Sequence, residues 1–261
     1  MAFKGWSLRR RSALLLGILV IDGALLGSMG GIAGAYTEKE SYIADSRTTN
    51  SHAAAKKWEQ NLTKVDNSKD ILAKNPGEKV VALTFDDGPH GVCTPRLLDG
   101  LKERGVHATF FLMGENIEGN EELVRRMQEE GHLIGNHSFR HVQLTKAGED
   151  KVCDAIEQTE KIISDITGNR PQYLRPPYGD WNEELECRMN LTTVFWTVDS
   201  LDWQLKNTSK IVSRVLKRTG NSDIILMHDI FPTSVDAALQ IVDRLQEQGY
   251  AFVTVDELMI D

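Results

Sequence analysis

The sequence predicts an α/β protein, either a barrel or a doubly wound sheet, and three observations carry that expectation. From Lys79 onward, short apolar runs suited to buried strands alternate with amphipathic segments, the pattern of parallel pairing. The composition is that of a globular domain, 41% hydrophobic and 26% charged over 261 residues. The polar residues that stand out fall just past the apolar runs, where parallel strands end.

The elements follow in order. Val80–Phe85 is an apolar run that reads as a buried strand. Pro95–Arg104 is helical, with Leu97, Leu98 and Leu101 on one face. Ala108–Leu112 is the second strand. Asn120–Glu130 is a helix with Leu123, Val124 and Met127 inward, closed by Gly131. His132–Ile134 is a short third strand. Lys146–Thr167 is a long helix whose Val152, Ile156, Thr159, Ile163 and Ile166 share a face, with Gly168 at its end. Gln172–Leu174 and Thr192–Val198 are the fourth and fifth strands. Ser209–Arg218 is a helix, Asp223–Met227 a sixth strand and Ser234–Gln248 a helix ending at Gly249. Ala251–Val255 is the last strand.

The first 77 residues are of another kind. Lys4, Arg9, Arg10 and Arg11 precede an apolar run from Ala13 to Ile21, interrupted by Asp22 and Gly23 and resumed from Ala24 to Ala35. A basic start before an apolar stretch is a secretory signal, and Ala33-Gly34-Ala35 has the form of a cleavage site. Ser12 to Ala35 is also long enough to cross a bilayer as an uncleaved anchor, although Asp22 and the glycines weaken that reading. Both outcomes stay open, and in both the rest of the chain faces outward. Residues 36–77 read as a spacer rich in Ser, Thr, Asn, Lys and Glu, closed by the turn at Asn75-Pro76-Gly77. Residues 78–261 form the remaining domain.

Thirty Lys and Arg against 38 Asp and Glu give a formal net charge of -8. That balance excludes nucleic acid as the main partner, because such affinity rests on neutralising phosphates. Residues 1–35 hold four of the cations and only one anion, so the outward part is more acidic still. Cys93, Cys153 and Cys187 are far apart and form no CxxC, which excludes a disulfide scaffold and a zinc finger. Cys93 follows Asp87 closely enough to sit near a site mouth, most simply as a bystander thiol, and pairing of Cys153 with Cys187 stays open.

Asp86 and Asp87 follow the first strand, Asn136 and His137 the third, Arg175 the fourth, Asp199 and Asp202 the fifth, and His228 and Asp229 the sixth. In a barrel these strand ends gather on one face. Neighbouring Asp86 and Asp87 point in different directions, so one can bind a metal while the other acts on water. His137 and His141, four apart, complete an open set of two histidines and one carboxylate, as in catalytic zinc sites. His-x-x-x-His alone is a weak signal; the Asp pair and a third histidine strengthen it. His228 suits proton donation to a leaving group, or is a satisfied core histidine. Arg175 and Asp202 either orient catalytic partners or form structural ion pairs, and the residues alone leave this even. Asp199 and Asp229 read as structural.

Five motifs occur in order: Thr84-Phe85-Asp86-Asp87-Gly88-Pro89, His137-Ser138-Phe139-Arg140-His141, Arg175-Pro176-Pro177-Tyr178-Gly179, Asp199-Ser200-Leu201-Asp202-Trp203 and Leu226-Met227-His228-Asp229. Over residues 78–261 the chain resembles the polysaccharide deacetylases of carbohydrate esterase family four, the NodB-homology domain. The resemblance implies a distorted (β/α) barrel that removes N-acetyl groups from an amino sugar with a divalent metal, zinc first and cobalt, manganese or nickel as alternatives. It implies Asp87, His137 and His141 as metal ligands, Asp86 as general base and His228 as general acid. It implies that Arg175 holds Asp86, that Asp202 holds His228, that the Tyr178 backbone N–H serves the oxyanion, and that Trp203 and Leu226 line the acetyl pocket.

Family members acting on N-acetylmuramic acid often carry Asn at the position of Asp87, so this chain resembles the N-acetylglucosamine-directed type. An export signal and a spacer suit a cell-wall glycan, which makes peptidoglycan the expected substrate. We expect a monomer, secreted or membrane-anchored, touching the membrane only through an uncleaved N-terminal segment. The alternatives are a chitin-oligosaccharide or xylan deacetylase, distinguished by loops such as 116–120 and 182–190, and a catalytically inactive glycan-binding module. The intact Asp86, Asp87, His137, His141 and His228 argue against the inactive module.

Overall fold

The computed structural model describes residues 79–146, 148–181 and 190–259. The expected signal or anchor, the spacer, most of the 182–190 loop and Cys187 lie outside the described residues.

Strand β1 (Lys79–Asp86) is the hub, buried along its whole length after Lys79. Alternation sends Val81, Leu83 and Phe85 to one apolar layer and Val80 and Ala82 to another. Both faces are covered, which is why the run is continuously apolar rather than alternating. Along one edge, β1 pairs in parallel with β7 (Asp223–His228), in the register Thr84 with Leu226 and Asp86 with His228. It also pairs in parallel with β8 (Tyr250–Val253) through Lys79–Ala82 and with β2 (Thr109–Leu112) through Thr84–Asp86. Beyond β2 come β3 (Leu133–Asn136), β4 (Tyr173–Leu174) and β5 (Thr192–Thr193), and beyond β7 comes β6 (Val198–Asp199). Every pairing is parallel, and among the described residues β5 and β6 do not pair with each other. The result is the expected (β/α) barrel in distorted, open form.

Helix α1 (Cys93–Glu103) follows β1; α2 (Gly114–Ile117) and α3 (Glu121–Glu129) follow β2; α4 (Glu149–Thr167) follows β3. Then come α5 (Asp202–Leu205), α6 (Thr208–Arg218), α7 (Pro232–Glu247) and α8 (Val255–Met259). Leu97, Leu98 and Leu101 of α1 and Val235, Ala238, Ile241, Val242 and Leu245 of α7 join Phe85, Phe110, Ile225 and Met227 in the outer layer, so the helical periodicity found its sheet face. The inner layer holds Phe111, Val194, Trp196, Ile224 and Leu226.

Three expectations change. The fifth strand, expected over Thr192–Val198, splits into β5 and β6 around an irregular link at 194–197. The cause is visible: the carbonyls of Val194 and Phe195 accept hydrogen bonds from the buried Arg175 guanidinium. The last strand ends at Val253, because Thr254 turns the chain into α8, its N–H donating to Glu257 Oε2. The third strand runs two residues further than expected, to Asn136, whose side chain donates to Ile156 O of α4.

Candidate active site

The carboxyl ends of β1, β3, β4, β6 and β7 bring the expected residues to one place. Asp87 Oδ1 lies 3.6 Å from His137 Nε2 and 3.7 Å from His141 Nε2. One ligand atom from each of the three residues lies within 4.8 Å of the other two. Metal bonds of about 2.0–2.1 Å in a tetrahedron put ligands about 3.3 Å apart, so this donor set fits a zinc-sized ion with modest contraction. His137 Nδ1 lies 2.6 Å from Arg175 O, which makes it the donor nitrogen and leaves Nε2 as the candidate ligand atom. His141 packs its ring edge against Tyr178, with centroids 4.4 Å apart.

Asp86 sits beside this set, its Oδ2 3.8 Å from His137 Nε2. Its other oxygen, Oδ1, accepts a hydrogen bond from Arg175 Nη1 at 2.8 Å. Arg175 is completely buried. It also donates to Thr84 Oγ1 at 2.6 Å and to the Val194 and Phe195 carbonyls, and lies 4.2 Å from the Phe111 ring centroid. Burial pulls the guanidinium's pKa down, and Asp86 acts in the opposite direction. A buried charge so fully partnered holds its partner's geometry firmly.

His228 faces Asp86 across the β1–β7 pairing. Its Nδ1 lies 2.7 Å from Asp202 Oδ1, and its backbone N–H donates to Asp202 Oδ2 at 2.8 Å. Burial alone would push the imidazole's pKa down. The Asp202 carboxylate, with Asp87 and Asp86 behind it, outweighs burial and raises it to about 10. Asp202 is held below the usual carboxylate range: burial opposes this, but the charge and hydrogen bond of His228 prevail.

The backbone is strained here. Asp87, Ser138, His141, Tyr178 and Leu201 all adopt positive φ, between 50° and 72°, a region that costs a non-glycine residue about 1–2 kcal/mol. Asp87, Ser138 and His141 lie in the segments that carry the candidate metal ligands, Leu201 in the turn before Asp202, and Tyr178 in the Pro177–Gly179 turn after Arg175. Ser138 is held by Asn136 Oδ1, which accepts its N–H at 2.8 Å.

Leu226 is buried beside Thr84 in the inner layer with Trp196, on the same face of β7 as His228. Trp203 is half-buried next to Asp202, its backbone N–H donating to Asp202 Oδ1 at 2.9 Å. Its ring belongs to none of the apolar layers among the described residues. Tyr178 presents its backbone from a left-handed position in the Pro177–Gly179 turn. Asp199 has the structural place expected of it, its Oδ1 accepting the Leu201 N–H at 2.8 Å just before α5. Cys93 is not at the site mouth. It is buried in the outer layer, where burial, reinforced by Asp229, pushes its thiol pKa up. Among the described residues Cys153 has no disulfide partner.

The residues alone did not single out Thr84, Asn116 or Thr94. Asn116 Nδ2 donates to Asp87 O at 2.6 Å, and Thr94 donates to Asp229. A threonine inside an apolar strand, as at Thr84, is the one signal that could have been read.

The described residues thus form an open parallel barrel with a candidate His-His-Asp metal site at its strand ends, flanked by an Arg-held carboxylate and an Asp-held imidazole. The polysaccharide deacetylase family model matches residues 73–194. The peptidoglycan-N-acetylmuramic acid deacetylase PdaC of Bacillus subtilis is 44% identical over 184 residues, 70% of this chain and 39% of that protein. The peptidoglycan-N-acetylglucosamine deacetylase PgdA of Listeria monocytogenes is 43% identical over 187 residues, 72% of this chain and 40% of that protein. A peptidoglycan-N-acetylglucosamine deacetylase of Bacillus cereus is 39% identical over 194 residues, 69% of this chain and 70% of that protein. The solved structure of PdaC superposes with a TM-score of 0.69 at 44% identity, covering 70% of this chain and 91% of that one. The chain spans about two fifths of the length of the first two relatives. It belongs to the polysaccharide deacetylase family.

Proposed function

We propose that residues 78–261 form a catalytic domain that hydrolyses the N-acetyl group of N-acetylglucosamine units in peptidoglycan. The observation that carries this reading is the joint placement of three things: the Asp87, His137 and His141 ligand atoms within 4.8 Å, Asp86 fixed by Arg175, and His228 fixed by Asp202. A divalent ion held there, zinc by its donor set, supplies Lewis-acid polarisation of the acetamide carbonyl and lowers the pKa of water.

The chain's own groups do the rest. Arg175 occupies Asp86 Oδ1 and turns Oδ2 towards the ligand set, so Asp86 takes the proton of the attacking water. The Tyr178 backbone N–H donates to the carbonyl oxygen as negative charge develops. Asp202 keeps His228 protonated, and His228 gives its proton to the departing sugar amine. Leu226 and Trp203 wall the acetyl methyl. Water and amide become acetic acid and amine, which leave as acetate and ammonium; Asp86 gains a proton from water and His228 gives one to the amine, so the two changes cancel.

Asp87 favours N-acetylglucosamine, as in the resemblance above, and two of the relatives carry that sugar in their names. The basic and apolar N-terminus supports export, by cleavage after Ala35 or as an anchor, with residues 36–77 as spacer. Among the described residues no helix is long and apolar enough to cross a membrane. The test is acetate release from purified peptidoglycan. The wild type releases acetate, and Asp86→Asn lowers kcat by about 100-fold or more. Release from chitin or xylan oligomers but not from peptidoglycan would sink the substrate assignment; an unchanged rate in Asp86→Asn would sink the base.

A further inference from the structure

Asp229 follows the imidazole His228 at the end of β7 and is completely buried. No Lys or Arg among the described residues pairs with it. Burial, more than its repulsion from Asp87, raises its carboxyl to about 7. The neighbouring His228 and the Thr94 hydroxyl offset only part of the cost of burying this carboxyl, so packing alone would be better served by an apolar side chain. Its surroundings give it another task. Asp229 accepts a hydrogen bond from the hydroxyl of Thr94, in the first turn of α1. The same Thr94 oxygen accepts the His90 N–H at 2.8 Å. Its two carboxylate oxygens fill the space at Gly88 where a side chain would begin: a Cβ there would overlap both.

Gly88 is the residue after the ligand Asp87. The Asp87 carbonyl is held by Asn116 Nδ2 at 2.6 Å and the Gly88 carbonyl by the Met113 N–H at 3.0 Å. Asp87 itself has a φ of 72°. A residue in that region relaxes unless its neighbours prevent it. The direction of its Cα–Cβ bond sets where Oδ1 lies relative to His137 and His141. Asn116 and Met113 hold the loop from the β2 side, and Asp229 and Thr94 hold it from the β7 and α1 side.

We infer that Asp229 is a positioning residue for the metal site: by shape and through Thr94, it fixes the Gly88 backbone and so aims the Asp87 carboxylate. This rests on the reading of Asp87, His137 and His141 as metal ligands. It acts through the loop and touches neither ligand atoms nor substrate.

The test is the zinc dissociation constant of the full chain, measured by competition with a chromophoric chelator, with folding followed by circular dichroism. Asp229→Ala weakens zinc binding by about tenfold or more, the effect expected of an outer partner of a ligand. Asp229→Asn keeps the shape and still accepts the Thr94 hydroxyl, so it recovers most of that loss. Gly88→Ala weakens binding by pushing the carboxyl aside, and combining it with Asp229→Ala costs less than the two losses added together. A folded Asp229→Ala protein with wild-type zinc affinity overturns the inference, as does an Asp229→Asn protein that loses as much as Asp229→Ala. If Asp229→Ala does not fold, Gly88→Ala decides: weakened binding supports the inference and wild-type affinity overturns it. Wild-type protein that binds no zinc, or His141→Ala protein that binds it as tightly as wild type, overturns the ligand assignment itself.

Discussion

His228 shows how far one contact sets chemistry. Its imidazole sits in a buried place that favours the neutral form, yet Asp202 at 2.7 Å raises its pKa to about 10. The sign follows from linkage. A pKa raised above the unfolded value near 6.5 stabilises the metal-free fold below about pH 6.5, and that contribution is lost as the pH rises through about 10. In metal-free protein, Asp202→Asn is expected to bring the His228 titration down towards 6.5, seen by NMR. An unchanged titration would remove Asp202 from the pair. At this scale Asp87 and His137 were legible because each follows an apolar run, and His141 because it lies four residues past His137. The roles of Arg175 and Asp202 were not, since an orienting contact and a structural ion pair look alike until the partner is seen. Thr94 was illegible for a simpler reason: its partner Asp229 lies 135 residues away.

At the scale of elements, the helices and the central strands were readable from periodicity, and the edges were not. Thr192–Val198 has the composition of one strand, but the Arg175 guanidinium takes the Val194 and Phe195 carbonyls and breaks it. Three short helices, α2, α5 and α8, carry too few residues to show a period. The turn from α3 into β3 carries its own pH sensitivity. His132 is buried there, accepting the Ala108 N–H on its Nδ1 at 3.1 Å with its ring edge-on to Phe110. Burial, then the neighbouring His107, lowers its pKa to about 4. A depressed histidine contributes stability above pH 6.5 that is lost as the pH falls through about 4. The loss is on the order of 3 kcal/mol. Urea unfolding between pH 7 and 4 is expected to weaken less steeply in His132→Gln than in wild type. Equal slopes would show that the acid sensitivity arises elsewhere.

For the whole molecule, the two apolar layers on the faces of β1 give the domain a core of its own, so its folding is expected not to require a metal. Chelation with EDTA is expected to abolish acetate release while leaving the far-ultraviolet circular dichroism largely intact; melting on chelation would instead make the site structural. The net charge of -8 combines a basic N-terminus with a more acidic remainder, so bulk charge does not draw that remainder to an anionic wall. On the proposed function, glycan recognition rests on the face where the strands end. The measurement that reaches the central claim most directly is sugar-by-sugar mapping of the product. Peptidoglycan is treated with zinc-loaded protein, digested to muropeptides and analysed by mass spectrometry for free amino groups. Free amines are expected on the glucosamine units, absent when Asp86→Asn protein is used. Free amines on muramic acid alone, or none on either sugar, would contradict the proposed function.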